Sequence, residues 1–234
     1  MHRLHDRQSA AQTGATVRPH AGICRGQLSA PCFELVFQDE SLLIANKPAG
    51  LLAVPGRGAD KQDCLSARIR EIFPDALIVH RLDMATSGLI LFARGAAMQR
   101  EMSRLFRERE VAKRYLAVVQ GTPEAESGEI DLPIGADWSL RPLRQIDRLT
   151  GKHALTRYRV TDSDATQSRL VLEPVTGRTH QLRLHLAEIG HPILGDALYG
   201  DARSAPRLLL HCCALEFTHP GNGEALRIEH AAPF

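Results

Sequence analysis

The stretch HRLDMATSG, from His80 to Gly88, sets polar side chains between two apolar runs, and its aspartate could do chemistry. Asp83 has two interpretations, because an aspartate in a turn often caps the backbone or pairs with a surface arginine such as Arg81. Partial burial beside an arginine would instead keep the carboxylate ionised. An ionised, positioned carboxylate can attack a carbon atom as a nucleophile. The residues alone leave these two roles evenly balanced.

Arginine and tyrosine residues elsewhere in the chain strengthen the functional interpretation. Arg81, Arg178 and Arg183 could each be solvated when taken singly, but arginine pairs with carboxylates in a bidentate manner and stacks on bases. Tyr115 stands at the start of the apolar run YLAVVQG, where a half-buried sheet tyrosine is the commoner outcome. The group of side chains indicates a site more strongly than any one member does.

Three basic runs suit a nucleic acid partner. They are REREVAKR, RPLRQIDR and GKHALTRYR. Nucleic acid offers phosphates to arginine and lysine, and bases to nearby aromatic rings. Any single run could equally be a solvated face. Composition alone does not decide between these two interpretations.

The sequence gives no support for a metal or a nucleotide cofactor. The histidines show neither HExxH nor a Cys/His ladder with zinc spacing. The glycine-containing pieces VPGRG and TGRTH are neither GxGxxG nor a P-loop. We therefore expect the protein to use no cofactor and no metal.

Other features of the composition predict a soluble cytoplasmic protein. No apolar run approaches the roughly 18 residues of a membrane span, so we expect no membrane partner. The five cysteines contain no CxxC pair and fit reduced thiols. Residues 1–31, rich in Ser, Ala, Gly and Arg, predict a disordered basic tail, and residues 32–234 predict one folded domain.

The pattern of apolar residues after position 32 predicts many strands and a few helices. Three segments have helical spacing: DCLSARIREIF, with Asp63 as its N-cap, AAMQREMSRLFRERE and THQLRLHLAEIG. Gly88 is predicted to be the turn into the strand GLILFAR. Because strands and helices do not alternate strictly, we expect an α+β domain with a largely antiparallel sheet.

Five long motifs resemble, in sequence and in order, those of the RluA family of pseudouridine synthases. They are NKPAGL, HRLDMATSGLILFAR, FREREVAKRYLAVVQG, PVTGRTHQLRLHLAEIGHPILGDALYG and RLLLHCCALEFTHP. The resemblance covers nearly all of residues 33–234. Three details, VPGR, MATSG and DLPIGADWSLRP, are similar to the short, dual-specificity type within that family. We therefore expect no extra N-terminal RNA-binding domain.

This resemblance implies an isomerase that converts uridine to pseudouridine in structured RNA without a cofactor or metal. The targets it implies are position 746 in a hairpin loop of 23S ribosomal RNA and position 32 in the anticodon stem-loop of tRNA. The fold it implies is a mixed α+β domain around a long bent, mainly antiparallel sheet with a central active-site cleft. We expect a monomer.

The resemblance also implies a role for each site residue. Asp83 would be the nucleophile that attacks the ribose C1′ atom, with attack on the pyrimidine ring as the alternative. Arg183 would pair with Asp83 and keep it ionised, and Tyr115 would pack on the target base and serve the C5 proton step. Arg81 would fill the gap that the flipped base leaves. The expected RNA contacts are completed by Lys113, Arg141, Arg178, His180 and Gln181.

Some alternatives stay open at this stage. Arg144 and His153 depart from the residues usual in the family, which leaves the choice of RNA uncertain. The chain could modify a different rRNA or tRNA uridine, or it could be a noncatalytic RNA-binding relative. A glycoside hydrolase would need a second carboxylate near Asp83, for which the sequence offers only Glu108 or Glu110.

Overall fold

The computed structural model describes residues 33–137, 139 and 141–234. Its strands are β1 (Glu34–Gln38), β2 (Leu42–Lys47), β3 (Ala76–Ile78), β4 (Ser87–Arg94), β5 (Ala112–Gln120), β6 (Ser127–Asp131), β7 (Ile134–Gly135), β8 (Gln145–Ile146), β9 (Leu155–Ser163), β10 (Gln167–Pro174), β11 (Leu210–Thr218) and β12 (Ala225–Glu229). Its helices are α1 (Leu65–Ile72), α2 (Gly95–Glu108) and α3 (Gln181–Glu188), and a short 3-10 turn spans Ala59–Lys61. The tail predicted for residues 1–31 lies outside the described residues.

Ten strands form one sheet in the order β1-β2-β4-β11-β5-β10-β9-β6, with β3 paired to β4 and β12 paired to β11. Every pair in this sheet is antiparallel except β4 with β11. The mixed α+β fold with a mainly antiparallel sheet is therefore confirmed. The parallel pair brings together two segments that are far apart in sequence at the centre of the sheet.

Strand β4 is the core of the domain because both of its faces are buried. Leu89 and Leu91 belong to the hydrophobic cluster that α2 covers, whereas Ile90 and Phe92 belong to the cluster on the α1 side. An apolar run without polar alternation, as in GLILFA, is what a strand covered on both faces requires. The chain entering β4 is consequently held by packing on two sides.

The three helices occur where their apolar spacing predicts them, but the predicted cap of α1 is wrong. The N-cap residue is Cys64, not Asp63, and it makes no side-chain capping bond. The carboxylate of Asp63 instead pairs with Arg68 at 2.7 and 2.6 Å. The amides of Leu65 and Ser66 bond carbonyls of the preceding loop, so the helix start is satisfied without a side-chain cap.

Among the described helices, none has the length and apolar character needed to cross a lipid bilayer.

Gly88 is not the turn that the sequence predicts. It is the second residue of β4, with a φ of 116°, and it lies opposite Cys212 in the parallel β4–β11 pair. A Cβ atom at this position would lie 2.4 Å from both the backbone nitrogen and the backbone oxygen of Cys212. Glycine is required because the two backbones approach too closely for any side chain. This contact fixes the point at which the HRLDMATS loop enters the sheet.

We predict that Gly88→Ala destabilises the protein by about 2–5 kcal/mol, the sum of an unfavourable positive φ and a steric overlap. Gly223→Ala is the matched control, because Gly223 also has a positive φ (76°) but a Cβ added there would meet no atom within 4 Å. The control should lose only about 1–2 kcal/mol. Urea unfolding of both variants measures the difference, and equal losses would contradict the close approach.

Candidate active site

A cavity of about 470 Å³ lies between the loop that precedes β4, the end of α2, the start of β5 and the segment leading into α3. It brings together residues separated by more than 100 positions in sequence, which share a polar or basic character. They include Arg81, Asp83, Arg107, Arg109, Lys113, Tyr115, Arg178, His180 and Arg183. Asp83 is the single carboxylate residue among the described residues that line this cavity. The cavity is therefore suited to binding an anionic ligand. The Asp83 carboxylate is the one acidic group among these described lining residues.

Asp83 is held by the backbone of its own loop. The amide of Thr86 donates to the Asp83 carbonyl at 3.2 Å and closes a turn. The amide of Gly50, in the NKPAGL loop, donates to the carbonyl of Met84 at 2.8 Å. The Asp83 side chain retains 18% of its exposure. The carboxylate thus faces the cavity from a loop whose backbone is fixed on both sides.

Lys47 is a further support of this loop that the sequence does not reveal. Its fully buried ammonium group donates to the carbonyls of Pro48, Leu51 and Met84 at 2.8, 2.7 and 3.0 Å. Burial lowers the pKa of Lys47 to about 7, while the nearby Asp83 carboxylate opposes this shift. Three carbonyl acceptors match the three N–H donors of the ammonium form. Lys47 therefore ties the NKPAGL loop to the residue that follows Asp83.

Arg183 approaches Asp83 as predicted, but its principal partner is Asp196. The Nε and Nη2 atoms of Arg183 donate to the two Asp196 carboxylate oxygens at 2.8 and 2.6 Å. The remaining Nη1 atom lies 3.5 Å from Oδ2 of Asp83. Although burial opposes both charges, their pairing raises the pKa of Arg183 and lowers the pKa of Asp196. The bidentate pair therefore aims the third guanidinium nitrogen at Asp83.

Sequence reasoning missed Asp196, although it lies in the quoted motif GDALYG. Its side chain is completely buried, and its Oδ1 atom also accepts the amides of Leu198 and Tyr199 at 2.8 and 3.2 Å. A buried carboxylate is stable only when it is paired and hydrogen-bonded in this way. The sequence signal was an aspartate followed by a turn, which is too common to single out.

His180 approaches the other carboxylate oxygen of Asp83. It precedes α3 with a left-handed backbone conformation (φ 59°), and its Nε2 atom lies 3.9 Å from Oδ1 of Asp83. Its Nδ1 atom lies 2.8 Å from the hydroxyl of Tyr199. Asp83 therefore has two basic neighbours, both slightly beyond a short hydrogen bond.

Tyr115 lies on β5, opposite Leu172 of β10 and Cys212 of β11, and is only 8% exposed. Burial raises the pKa of Tyr115 well above the usual value for a phenol. The hydroxyl is consequently neutral at pH 7 and suited to hydrogen bonding and packing.

The residues predicted to contact RNA occupy three kinds of position. Arg81, Lys113 and Arg178 line the cavity, and Arg81 is exposed at its mouth. Arg141 lies outside the cavity lining at an exposed position. Gln181 also lines the cavity, but it is 3% exposed and its side chain hydrogen-bonds to neighbouring protein groups.

Gln181 instead joins the turn before α3 to β9. Its side-chain oxygen accepts from the Thr176 hydroxyl at 2.7 Å and the Arg178 amide at 3.0 Å. Its side-chain nitrogen donates to Leu155 and Thr156 at 2.9 and 3.0 Å. All of its hydrogen-bonding groups are therefore occupied, so it orients the segment that carries Arg178.

The sequence matches a family model described as RNA pseudouridylate synthase over residues 41–188. The dual-specificity RNA pseudouridine synthase RluA of Escherichia coli (strain K12) is 47% identical over 208 residues, which are 87% of this chain and 95% of that protein. The protein of the same name from Haemophilus influenzae is 44% identical, with the same coverage.

Two solved structures have a similar fold. Human RNA pseudouridylate synthase domain containing 1 has a TM-score of 0.73 and 29% identity, covering 91% of this chain and 87% of that one. Human RNA pseudouridylate synthase domain containing 4 has a TM-score of 0.69 and 26% identity, covering 85% and 88%.

We predict that Asp196→Asn lowers the free energy of unfolding by about 3 kcal/mol, because it leaves the buried Arg183 guanidinium without its charged partner. Asparagine keeps an oxygen for the amides of Leu198 and Tyr199, so the substitution tests the charge. The control is Asp63→Asn in the exposed pair with Arg68, which should cost less than about 1 kcal/mol. Chemical denaturation measures both variants, and similar losses would show that the buried pair has no special weight.

Proposed function

Because the chain belongs to the RNA pseudouridylate synthase family and is an RluA-type enzyme, we propose that Asp83 is the nucleophile with which it isomerises uridine in RNA. The observation that carries this proposal is the cavity, which contains one carboxylate among many basic side chains. Its volume of about 470 Å³ falls within the usual range of sites for small organic groups. A nucleotide flipped out of its stack has the size and charge that this cavity accepts.

The reaction needs no co-reactant, because every bond that breaks is replaced within the substrate. Asp83 attacks the ribose C1′ atom, and the bond from C1′ to N1 of uracil breaks with its electron pair on the base. The base rotates, and its C5 atom attacks C1′ and displaces Asp83. The proton on C5 is then lost to a base, for which Tyr115 is the candidate, and N1 takes up a proton, so the product is an isomer of the substrate. Attack of Asp83 on the pyrimidine ring is the alternative first step.

The contacts of Asp83 suit a nucleophile better than a structural carboxylate. Arg183 and His180 lie 3.5 and 3.9 Å from its two oxygens, so neither holds it in a short hydrogen bond. Their polar groups lie close enough to orient the carboxylate, while its oxygens stay available for attack. Hydrogen bonds of this kind often shorten only when the substrate is bound.

We assign the other residues supporting roles in the same reaction. Tyr115 packs on the flipped base and serves the C5 proton step. Arg81, exposed at the mouth, fills the space that the base leaves in the RNA stack. Lys113, Arg178, His180 and Arg141 contact the RNA backbone or its bases.

A glycoside hydrolase is less well supported than a pseudouridine synthase. That chemistry needs a second carboxylate about 5–9.5 Å from the first. Glu108 and Glu110 pair with Arg104 on an exposed surface and do not line the cavity. Asp196 is near Asp83 through Arg183, but its oxygens are used by Arg183 and by two amides.

The relatives from E. coli and H. influenzae are called dual-specificity enzymes, which supports more than one RNA target. We propose the two targets that the motif resemblance implies, a hairpin loop of 23S ribosomal RNA and the anticodon stem-loop of tRNA, and a monomer in the cytoplasm. We assign catalysis to residues 32–234, because the segments that build the cleft all lie within them. Arg144 and His153 differ from the family pattern, so a different uridine is the competing target.

We predict that Asp83→Asn binds RNA with wild-type affinity but loses turnover by at least about 1,000-fold, because the amide cannot act as the nucleophile. The substrates are a 23S hairpin transcript and a tRNA anticodon stem-loop, both labelled with tritium at C5 of uridine. Tritium release measures turnover, and a gel shift measures affinity. Asp164→Asn, in an exposed turn, is the control and should match wild type in both assays.

The outcomes separate the competing functions. Release by wild type from neither RNA would contradict the proposed targets. Binding without release from any uridine-containing transcript would indicate a noncatalytic RNA-binding protein. Equal release by wild type and Asp83→Asn would remove Asp83 as the nucleophile.

A further inference from the structure

The hydroxyl of Tyr199 links a distant loop to the catalytic cleft. The backbone amide of Arg144 donates to this hydroxyl at 2.8 Å. The Nδ1 atom of His180 lies on its other side, also at 2.8 Å. An amide can only donate, so the hydroxyl oxygen accepts from Arg144 and its proton is available for Nδ1 of His180.

This arrangement suits one tautomer of His180. When the Tyr199 hydroxyl donates to Nδ1, the neutral ring has its proton on Nε2. The Nε2 atom is the one that lies 3.9 Å from Oδ1 of Asp83. Burial lowers the pKa of His180, which favours the neutral ring over the imidazolium. In this tautomer a neutral N–H group faces the proposed nucleophile, opposite the Nη1 atom of Arg183.

The loop at the other end of this chain of hydrogen bonds carries concentrated positive charge. Arg144 and Arg141 lie between β7 and β8, and Arg57 of another loop is near enough to lower the pKa of Arg141. A group of neighbouring positive charges attracts a polyanion such as RNA. An RNA phosphate bound there would pull on the loop whose backbone is bonded to Tyr199.

We propose that Tyr199 and His180 are positioning residues, which transmit the binding of RNA at the Arg141–Arg144 loop to the orientation of Asp83. The proposal rests on the proposed function, because it needs Asp83 to be the nucleophile. At 3.9 Å, the distance from Nε2 of His180 to Oδ1 of Asp83 is too long for a hydrogen bond. Movement of the Arg141–Arg144 loop toward a bound phosphate shortens the distance from His180 to Asp83. The resulting contact presents one Asp83 carboxylate oxygen to C1′.

Tyr199→Phe tests the hydroxyl alone. The Tyr199 ring lies 5.5 Å from the guanidinium carbon of Arg183, and phenylalanine keeps that packing. We expect the single-turnover rate of tritium release, at saturating enzyme, to fall by about tenfold or more, while the dissociation constant for RNA changes less than about twofold. Tyr158→Phe on β9 is the matched control and should leave both quantities unchanged.

A second variant, His180→Gln, shows whether Tyr199 acts through His180. Glutamine keeps an N–H group for Asp83. It has no ring nitrogen at the position of His180 Nδ1 to accept the hydrogen bond from the Tyr199 hydroxyl. We expect the double variant, His180→Gln with Tyr199→Phe, to be no slower than His180→Gln alone. Rate losses that multiply in the double variant would overturn the coupling.

The remaining outcomes are equally decisive. A single-turnover rate of Tyr199→Phe within twofold of wild type would overturn the proposal. A slower rate that returns to the wild-type value at saturating enzyme would overturn it too, because the defect would then lie in RNA binding. If Tyr199→Phe does not fold, His180→Gln with a wild-type rate would overturn it as well. Wild type and Asp83→Asn are assayed alongside, so a failure of the proposed function itself is recognised separately.

Discussion

The buried ion pair between Arg183 and Asp196 is the interaction on which the geometry of the cleft depends. Two guanidinium nitrogens and both carboxylate oxygens are committed to each other, so the third nitrogen has one direction left, which is toward Asp83. Removing two charges from water is costly, and only a bidentate, fully bonded pair offsets that cost. The pair also joins α3 to the segment that carries Tyr199. It therefore fixes the positions of both relative to Asp83.

The loop that carries Asp83 is fixed by contacts that are independent of this pair. Lys47 binds the carbonyl of Met84, directly after Asp83, and Gly88 allows β4 to touch β11 at the exit of the loop. These contacts involve only protein groups, so the protein itself sets the position of the Asp83 backbone. Its side chain keeps some freedom because its two neighbours lie at 3.5 and 3.9 Å. A rigid backbone with an adjustable carboxylate suits a group that must first attack C1′ and then leave it.

Local patterns in the sequence predicted the strands, the helices and the mixed fold, since burial on one or two faces leaves a period that can be recognised. They failed at Asp63 and Gly88, where a pairing with Arg68 and a close approach of two backbones override local preference. The roles proposed for Asp83, Tyr115 and Arg183 came from the ordered motifs. Asp196 and Tyr199 were not found, because their partners are set by the tertiary fold and no spacing rule reports them.

The most direct test of this account is the single-turnover rate of Asp196→Asn, measured with saturating enzyme at a temperature where the variant is folded. We expect the rate to fall by about tenfold or more while the affinity for RNA is unchanged, because Arg183 is no longer aimed at Asp83. A rate equal to that of wild type would contradict it, since the nucleophile would then be positioned without the buried pair.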